Sequence, residues 1–192
     1  KLQQAWRDRE MLERLRQRGI PVYNQLAYTL DCVRSILRAS ATVPYEIVVI
    51  DDCSTDETPQ VLPALPGIRA LKTESNSGFL FTCNTAASQA KGDYLVFLNN
   101  DTEVTDNWLD ELLRTFTDHE NVGLVGSKLV YPDEVLQEAG CIVWNDGSIW
   151  NYGRNDDPNK PEYNYLRDVD YCSAASVMVT SWPVLMRSSS YS

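Results

Sequence analysis

The chain has 192 residues, 43% of them hydrophobic, 10% aromatic and 23% charged, an ordinary globular balance that excludes a disordered tail, a collagen-like fibre and a disulfide-dense miniprotein. Seventeen Lys and Arg face 27 Asp and Glu, for a formal net charge of −10, so the average field repels polyanions and argues against a nucleic-acid partner. No apolar run approaches the roughly 18 residues of a membrane span, and five cysteines (Cys32, Cys53, Cys83, Cys141 and Cys172) without a C-x-x-C pair read as reduced thiols in a cytoplasmic chain.

The charge is uneven: Lys1, Arg7, Arg9, Arg14, Arg16 and Arg18 face only Asp8, Glu10 and Glu13 in the first 18 residues. Residues 2–17 read as a charged helix whose apolar points, Trp6, Leu12 and Leu15, are spread too widely for one face. Residues 1–19 are therefore taken as a helical appendage, a solvated linker or docking helix in the commoner case. A peripheral contact with an anionic membrane surface, at the inner face of the membrane, is the other use of such a segment.

From Ile20 strands and helices alternate. Residues 20–23 form a short extended stub, and Asn24 is placed to cap a helix carrying Leu26, Leu30, Val33 and Ile36 or Leu37 on one face. Residues 46–50 are a continuous β-branched run of the kind buried on both faces of a parallel sheet, closing on Asp51 and Asp52. A helix opening at Ser54 or Thr55 is kept short by Pro59 and Pro63. A third strand spans Ile68–Lys72, a helix runs over 79–90 behind Asn76-Ser77-Gly78, and a fourth strand, Tyr94–Leu98, runs into Asn99-Asn100-Asp101.

Leu109, Leu112, Leu113 and Phe116 have helical spacing with Asp106 as the expected cap. Residues 122–131 read as a strand. A hairpin of 141–144 and 148–152 turns at Asn145-Asp146-Gly147, and 171–180 is the last strand candidate. The alternation argues an α/β sheet with right-handed crossovers, and ligands of such sheets sit beyond the carboxyl ends of the strands. Polar residues gather at four of those ends: Tyr23-Asn24, Asp51-Asp52, residues 76–78 and residues 99–101.

The motifs Pro21-Val22-Tyr23-Asn24, Val48-Val49-Ile50-Asp51-Asp52 with Ser54 and Asp56, Asn76-x-Gly78-Phe79 with Asn84, the run 91–101 ending in Asn99-Asn100-Asp101, and Gly123-Leu124-Val125-Gly126 resemble the family 2 glycosyltransferases of GT-A fold. The Asn-Asn-Asp-Thr form and the Glu138-Ala139-Gly140-Cys141 stretch look most like bacterial enzymes of cell-surface polysaccharide synthesis. The resemblance implies a Rossmann-like, mostly parallel central sheet flanked by helices, with a small hairpin on the acceptor side, over a domain of residues 20–192. It implies an inverting transfer of a sugar from a nucleoside-diphosphate donor to a saccharide or lipid-linked saccharide acceptor.

By the same resemblance Asp101 is the ligand of a divalent cation, Mg²⁺ or Mn²⁺, suited to hard oxygen donors and to the charge of a departing diphosphate. The family usually has a second acid one or two positions earlier, where this chain has Asn99 and Asn100. Tyr23 would offer its ring to the nucleobase, Pro21 a backbone carbonyl and Asp52 an acceptor for a base N–H. Asn76, Gly78 and Asn84 would line the base or ribose side, and Asn100 completes the nucleotide-binding set. Taken singly, each has a plain structural reading: a core aromatic, a helix cap, a turn glycine, a loop turn.

No catalytic base is assigned. The family's base lies tens of residues beyond the strand matching 171–180, so the domain is expected to be incomplete at its C-terminus, and Asp168 and Asp170 match no motif. The family also begins with a full hydrophobic strand, where this chain has Arg14-Leu15-Arg16-Gln17-Arg18-Gly19, costly residues for a buried central strand. A truncated nucleotide-binding module without turnover is the alternative reading. A nucleotidyltransferase would need a Gly- and basic-rich first loop, which is absent. His119 reads as a helix-end cation, Cys83 and Cys172 as small core side chains, and Trp144 with Trp150 as a cross-strand pair ahead of an acceptor platform.

Overall fold

The computed structural model describes residues 17–90 and 92–180. Its first strand, β1 (Gln17–Val22), starts three residues before the expected stub. Gln17, Arg18 and Gly19 therefore belong to the sheet and not to the appendage, whose remaining residues lie outside those described. Gly19 shows how the strand is accommodated: a Cβ there would meet the Ala86 Cβ at 2.8 Å, so helix and strand backbone approach more closely than any larger residue permits.

β1 lies between β2 (Ile47–Asp51) and β4 (Tyr94–Leu98), with β3 (Ile68–Lys72) outside β2, all parallel. All five residues of β2 are buried, as its unbroken β-branched run demands of a strand covered on both faces. β10 (Ser176–Thr180) pairs antiparallel with β4, and β5 (Leu124–Gly126) closes the edge, giving the order β3-β2-β1-β4-β10-β5.

Side-chain alternation along these strands builds two cores. Ile20, Val22, Ile47, Val49 and Leu98 pack beneath α1 (Leu26–Arg38) through Cys32, Val33 and Ile36. On the same side, Val96, Val125 and Met178 meet Leu109, Leu112 and Leu113 of α4 (Trp108–Asp118). The opposite face, with Leu95, Phe97, Val177 and Val179, packs on Cys83, while Val48 and Ile50 pack on Ala86, both from α3 (Phe79–Ser88). Each fully buried side chain of this kind contributes about 1.5–3 kcal/mol. The short α2 (Thr58–Val61) gives way at once to a 3₁₀ turn, Leu62–Ala64, with Pro59 and Pro63 in the first turns.

Several local expectations change. Asn24 does not cap α1; it and Gln25 both have left-handed backbones, with φ of 58° and 62°, and the buried face of α1 runs through Thr29, Cys32, Val33 and Ile36. Asp106 does not cap α4 either: Asn107 holds the cap position, and the Asp106 carboxylate accepts the Ser40 N–H and hydroxyl across the fold. The strand expected over 122–131 divides into β5 and β6 (Leu129–Val130), which pairs with β7 (Leu136–Glu138) in a separate ribbon. The hairpin of β8 (Cys141–Val143) and β9 (Ile149–Asn151) forms as expected, with Trp144 and Trp150 edge to face at 5.2 Å.

Candidate nucleotide-binding cleft

After β1 the chain builds outward through β2 and β3, then returns to lay β4 on the other side of β1. A crevice opens beyond the carboxyl ends of the strands where the order reverses. The cleft there encloses about 570 Å³ and is lined by Pro21 near the end of β1 and Tyr23 just after it, Asp52 after β2, Asn76 and Gly78 before α3, and residues 99–101 after β4. Of the eight residues singled out from the sequence, seven converge on this space. Asn84, half-buried on α3, stands outside the residues that line it.

Neighbouring carboxylates at the end of β2 have different tasks because adjacent residues point to opposite faces. Asp51 Oδ1 accepts the Ser54 N–H at 2.8 Å and shapes the β2–α2 loop. Asp52, only 4% exposed, accepts the Thr73 hydroxyl (2.8 Å) and Ser77 N–H (2.9 Å) on Oδ1 and the Gly78 N–H (2.8 Å) on Oδ2. Burial pushes its carboxyl up, and the bonds from Ser77, Thr73, Gly78 and Thr82 outweigh that, holding it below its ordinary value of 3.8. Asp52 therefore fixes the loop of residues 76–78, and Gly78, at φ 80°, presents bare backbone at the cleft wall.

The first two loops are bolted together. Asn24 Oδ1 accepts the Thr55 N–H (2.7 Å) and Asp56 N–H (3.3 Å), while the Asn24 N–H donates to Ser54 Oγ (2.7 Å). The Leu26 N–H at the start of α1 donates to Asp56 Oδ2, so this helix end is satisfied from a distant loop. This latch holds Tyr23, 51% exposed, at the rim with its ring free to stack.

At the end of β4, Asn100 Nδ2 donates to Thr29 Oγ1 (3.1 Å), and Thr102 Oγ1 closes the turn on Asn99 O (2.7 Å). Asp101 projects exposed from that turn into the cleft. Among the described residues no three His, Cys, Asp or Glu side chains gather as a metal site.

The far wall, residues 171–175, was not anticipated. Because β10 runs antiparallel, the segment entering it sits at the same edge of the sheet as the ends of the parallel strands, so the direction of β10 is the signal that would have found it. The wall is held by Cys141 N–H to Tyr171 O and Asn99 N–H to Ala175 O, both 2.9 Å, and by Ser173 N–H to Glu138 Oε1 at 3.1 Å. Glu138 is 3% exposed. Thr82, one turn into α3 from Gly78, also lines the cleft. The whole forms a crevice with an aromatic rim, a backbone-lined floor and one exposed carboxylate, suited to a nucleotide.

Comparison with known proteins agrees. The model of the family described as Glycosyl transferase family 2 matches residues 19–179. The O-antigen biosynthesis protein RfbC of Myxococcus xanthus is 37% identical over 119 residues, 60% of this chain and 9% of that protein. Glycosyltransferase GlyG of Streptococcus pneumoniae is 27% identical over 157 residues, 80% of this chain and 44% of that one. The crystal structure of Staphylococcus aureus TarS 1–349 in complex with UDP-GlcNAc matches with a TM-score of 0.53 at 25% identity, over 60% of this chain and 34% of that one. The chain spans less than half the length of these relatives.

Proposed function

The chain belongs to glycosyl transferase family 2, and from that premise we propose that it carries the donor site of a transferase moving a sugar from a nucleoside diphosphate to a saccharide or lipid-linked saccharide acceptor. The mostly parallel sheet with helices on both faces is the GT-A architecture. The observation that carries the proposal is the convergence of Tyr23, Asp52, Asn76, Gly78 and residues 99–101 on one cleft at the switch point of that sheet. TarS, crystallised with UDP-GlcNAc, supports a nucleotide sugar as the ligand. The O-antigen role of RfbC supports a bacterial cell-surface polysaccharide as the setting.

In this reading Tyr23 stacks on the nucleobase, the Pro21 carbonyl and the Asp52 carboxylate accept from its edge, and the Asn76 to Gly78 loop lines the ribose. Asn84 has no part in it. Asp101 is one exposed carboxylate preceded by two amides, Asn99 and Asn100, which fits a hard cation that shares its coordination with phosphate oxygens and does not fit a cage holding metal alone. When bound, Mg²⁺ or Mn²⁺ would neutralise charge developing on the departing diphosphate. The two neutral asparagines leave the cation to arrive with the nucleotide.

The transfer is proposed to invert, by a single in-line displacement, with no residue assigned as the base. Asp170 is already engaged, its Oδ2 accepting the Val143 N–H at 3.1 Å. Among the described residues no helix is long and apolar enough to cross a membrane, and a cytoplasmic setting at the inner face of the membrane belongs to the same proposal. The test is slow release of UDP from UDP-GlcNAc, or of GDP from GDP-mannose, by this chain with Mn²⁺ and no acceptor. Release abolished by Asp101→Ala supports a transferase centre. Binding of donor without any release favours the module without turnover.

A further inference from the structure

A second cavity, about 940 Å³, lies between the end of α4, edge strand β5 and residues 163–172, and meets the donor cleft at Tyr171, which lines both. Arg167 is on its wall. The guanidinium lies 4.1 Å from the centre of the Tyr152 ring and 5.9 Å from that of Tyr165. Stacking of this kind satisfies the face of a guanidinium and leaves its edge to find acceptors. Here Nε and Nη1 are both buried and find no hydrogen-bond partner among the described residues. Among the described residues no carboxylate pairs with this cation.

The neighbours sharpen the point. Asp170, on the same wall, gives Oδ2 to the Val143 N–H, and Asp168 and Glu120 are exposed. Lys128, also on the wall, spends its ammonium on two neutral oxygens, Pro158 O (3.0 Å) and Asn164 Oδ1 (2.6 Å). Among the described residues neither Arg167 nor Lys128 forms an ion pair, although Glu120, Asp168 and Asp170 line the same cavity, and an unpaired, desolvated guanidinium edge is costly unless a ligand completes it. Its planar fork matches a carboxylate or a phosphate.

The geometry points to Arg167 as the receiver of an anionic group, carboxylate or phosphate, on the acceptor saccharide, which makes the acceptor of this transferase an acidic glycan. The inference rests on the transferase reading above: the cavity adjoins the donor cleft, is large enough for a saccharide unit and is not part of the nucleotide site.

The test is an NMR titration of the ¹⁵N-labelled chain with a glucuronic-acid disaccharide, a phosphorylated disaccharide and an uncharged disaccharide of equal size. One anionic probe is expected to bind at least about tenfold tighter than the uncharged one and to shift the Arg167 Nε–H resonance. The carboxylate and phosphate arms identify which anion is taken. Arg167→Met, which keeps apolar cover over Tyr152, should erase the preference, and Arg167→Lys should keep part of it. If Arg167→Met does not fold, the Nε–H shift in the unaltered chain decides. Equal affinity for charged and uncharged probes, an unshifted Nε–H at saturation, or an undiminished preference in Arg167→Met would overturn the inference. UDP titrated in parallel separates the two readings: UDP bound without an Arg167-dependent anion preference sinks this inference alone, while absent UDP binding sinks the donor site.

Discussion

Replacing Asp52 by Asn tests whether one carboxylate organises the donor side of the cleft. The amide oxygen can take over the bonds from Thr73 and Ser77 at 2.8 and 2.9 Å. The amide nitrogen then replaces Oδ2 and faces the Gly78 N–H, 2.8 Å away, so a donor meets a donor. One charge-assisted bond is lost, worth about 1.5–3 kcal/mol, and a backbone N–H loses its partner, for a combined cost of about 2–4 kcal/mol. Urea unfolding at neutral pH measures this directly.

The pH dependence supplies the sign. Asp52 titrates below 3.8 in the folded chain, so its contribution is present above the unfolded value and disappears as pH falls through the folded one. The gap between parent and variant should therefore hold from neutral pH down to about 5 and close below 3.8. Nucleotide affinity should fall with the loss of the fixed loop. A stability difference under about 0.5 kcal/mol, the range of an ordinary surface change, or a gap that does not close in acid, would mean that the Asp52 carboxylate does not hold this loop.

Three further outcomes follow from the same contacts. Gly19→Ala, whose methyl would stand 2.8 Å from Ala86 Cβ between two elements of fixed backbone, should cost about 1–3 kcal/mol by thermal or urea unfolding. Asn24→Ala, which strips the acceptor from Thr55 and Asp56, should cost about 1–3 kcal/mol and weaken nucleotide binding by loosening the loop behind Tyr23, both readable from one calorimetric series. Burial pushes the Cys83 thiol up to about 12, and burial with the Glu138 charge pushes Cys141 up to about 11. Mass spectrometry after alkylation of the native chain near neutral pH should therefore find both unmodified, with labelling appearing only on unfolding.

The sheet was legible because its signals are local and redundant. Ile68–Lys72 and Tyr94–Leu98 fall where their apolar runs put them, and the wholly buried β2 follows from its β-branched composition. The cleft was legible because parallel strands share a direction, so residues after each of them must collect at one edge. Caps were not legible: Asn24 and Asp106 have the chemistry of local helix caps, yet each bonds a distant loop, and a local pattern carries no information about partners 31 or 66 positions away. The wall at residues 171–175 escaped because strand direction is not written in apolar periodicity. Asn84 stands outside the lining residues, and spacing from Gly78 along a helix does not say which face the helix turns to the crevice. Gln17 and Arg18 were read as appendage because polarity outweighed their position in the chain, whereas backbone pairing with Ile47 and Leu95 puts them in the central strand.

In the reading proposed above, this cleft binds a nucleoside diphosphate with help from a cation held at Asp101. Calorimetric titration of UDP, dTDP and GDP, each with and without Mn²⁺, on this chain and on Asp101→Ala tests it most directly. One nucleotide should bind, Mn²⁺ should strengthen it by about tenfold or more, and Asp101→Ala should lose the Mn²⁺ effect while unfolding at the same urea concentration as its parent. No heat with any nucleotide in the presence of Mn²⁺, or a Mn²⁺ effect unchanged in Asp101→Ala, would contradict it.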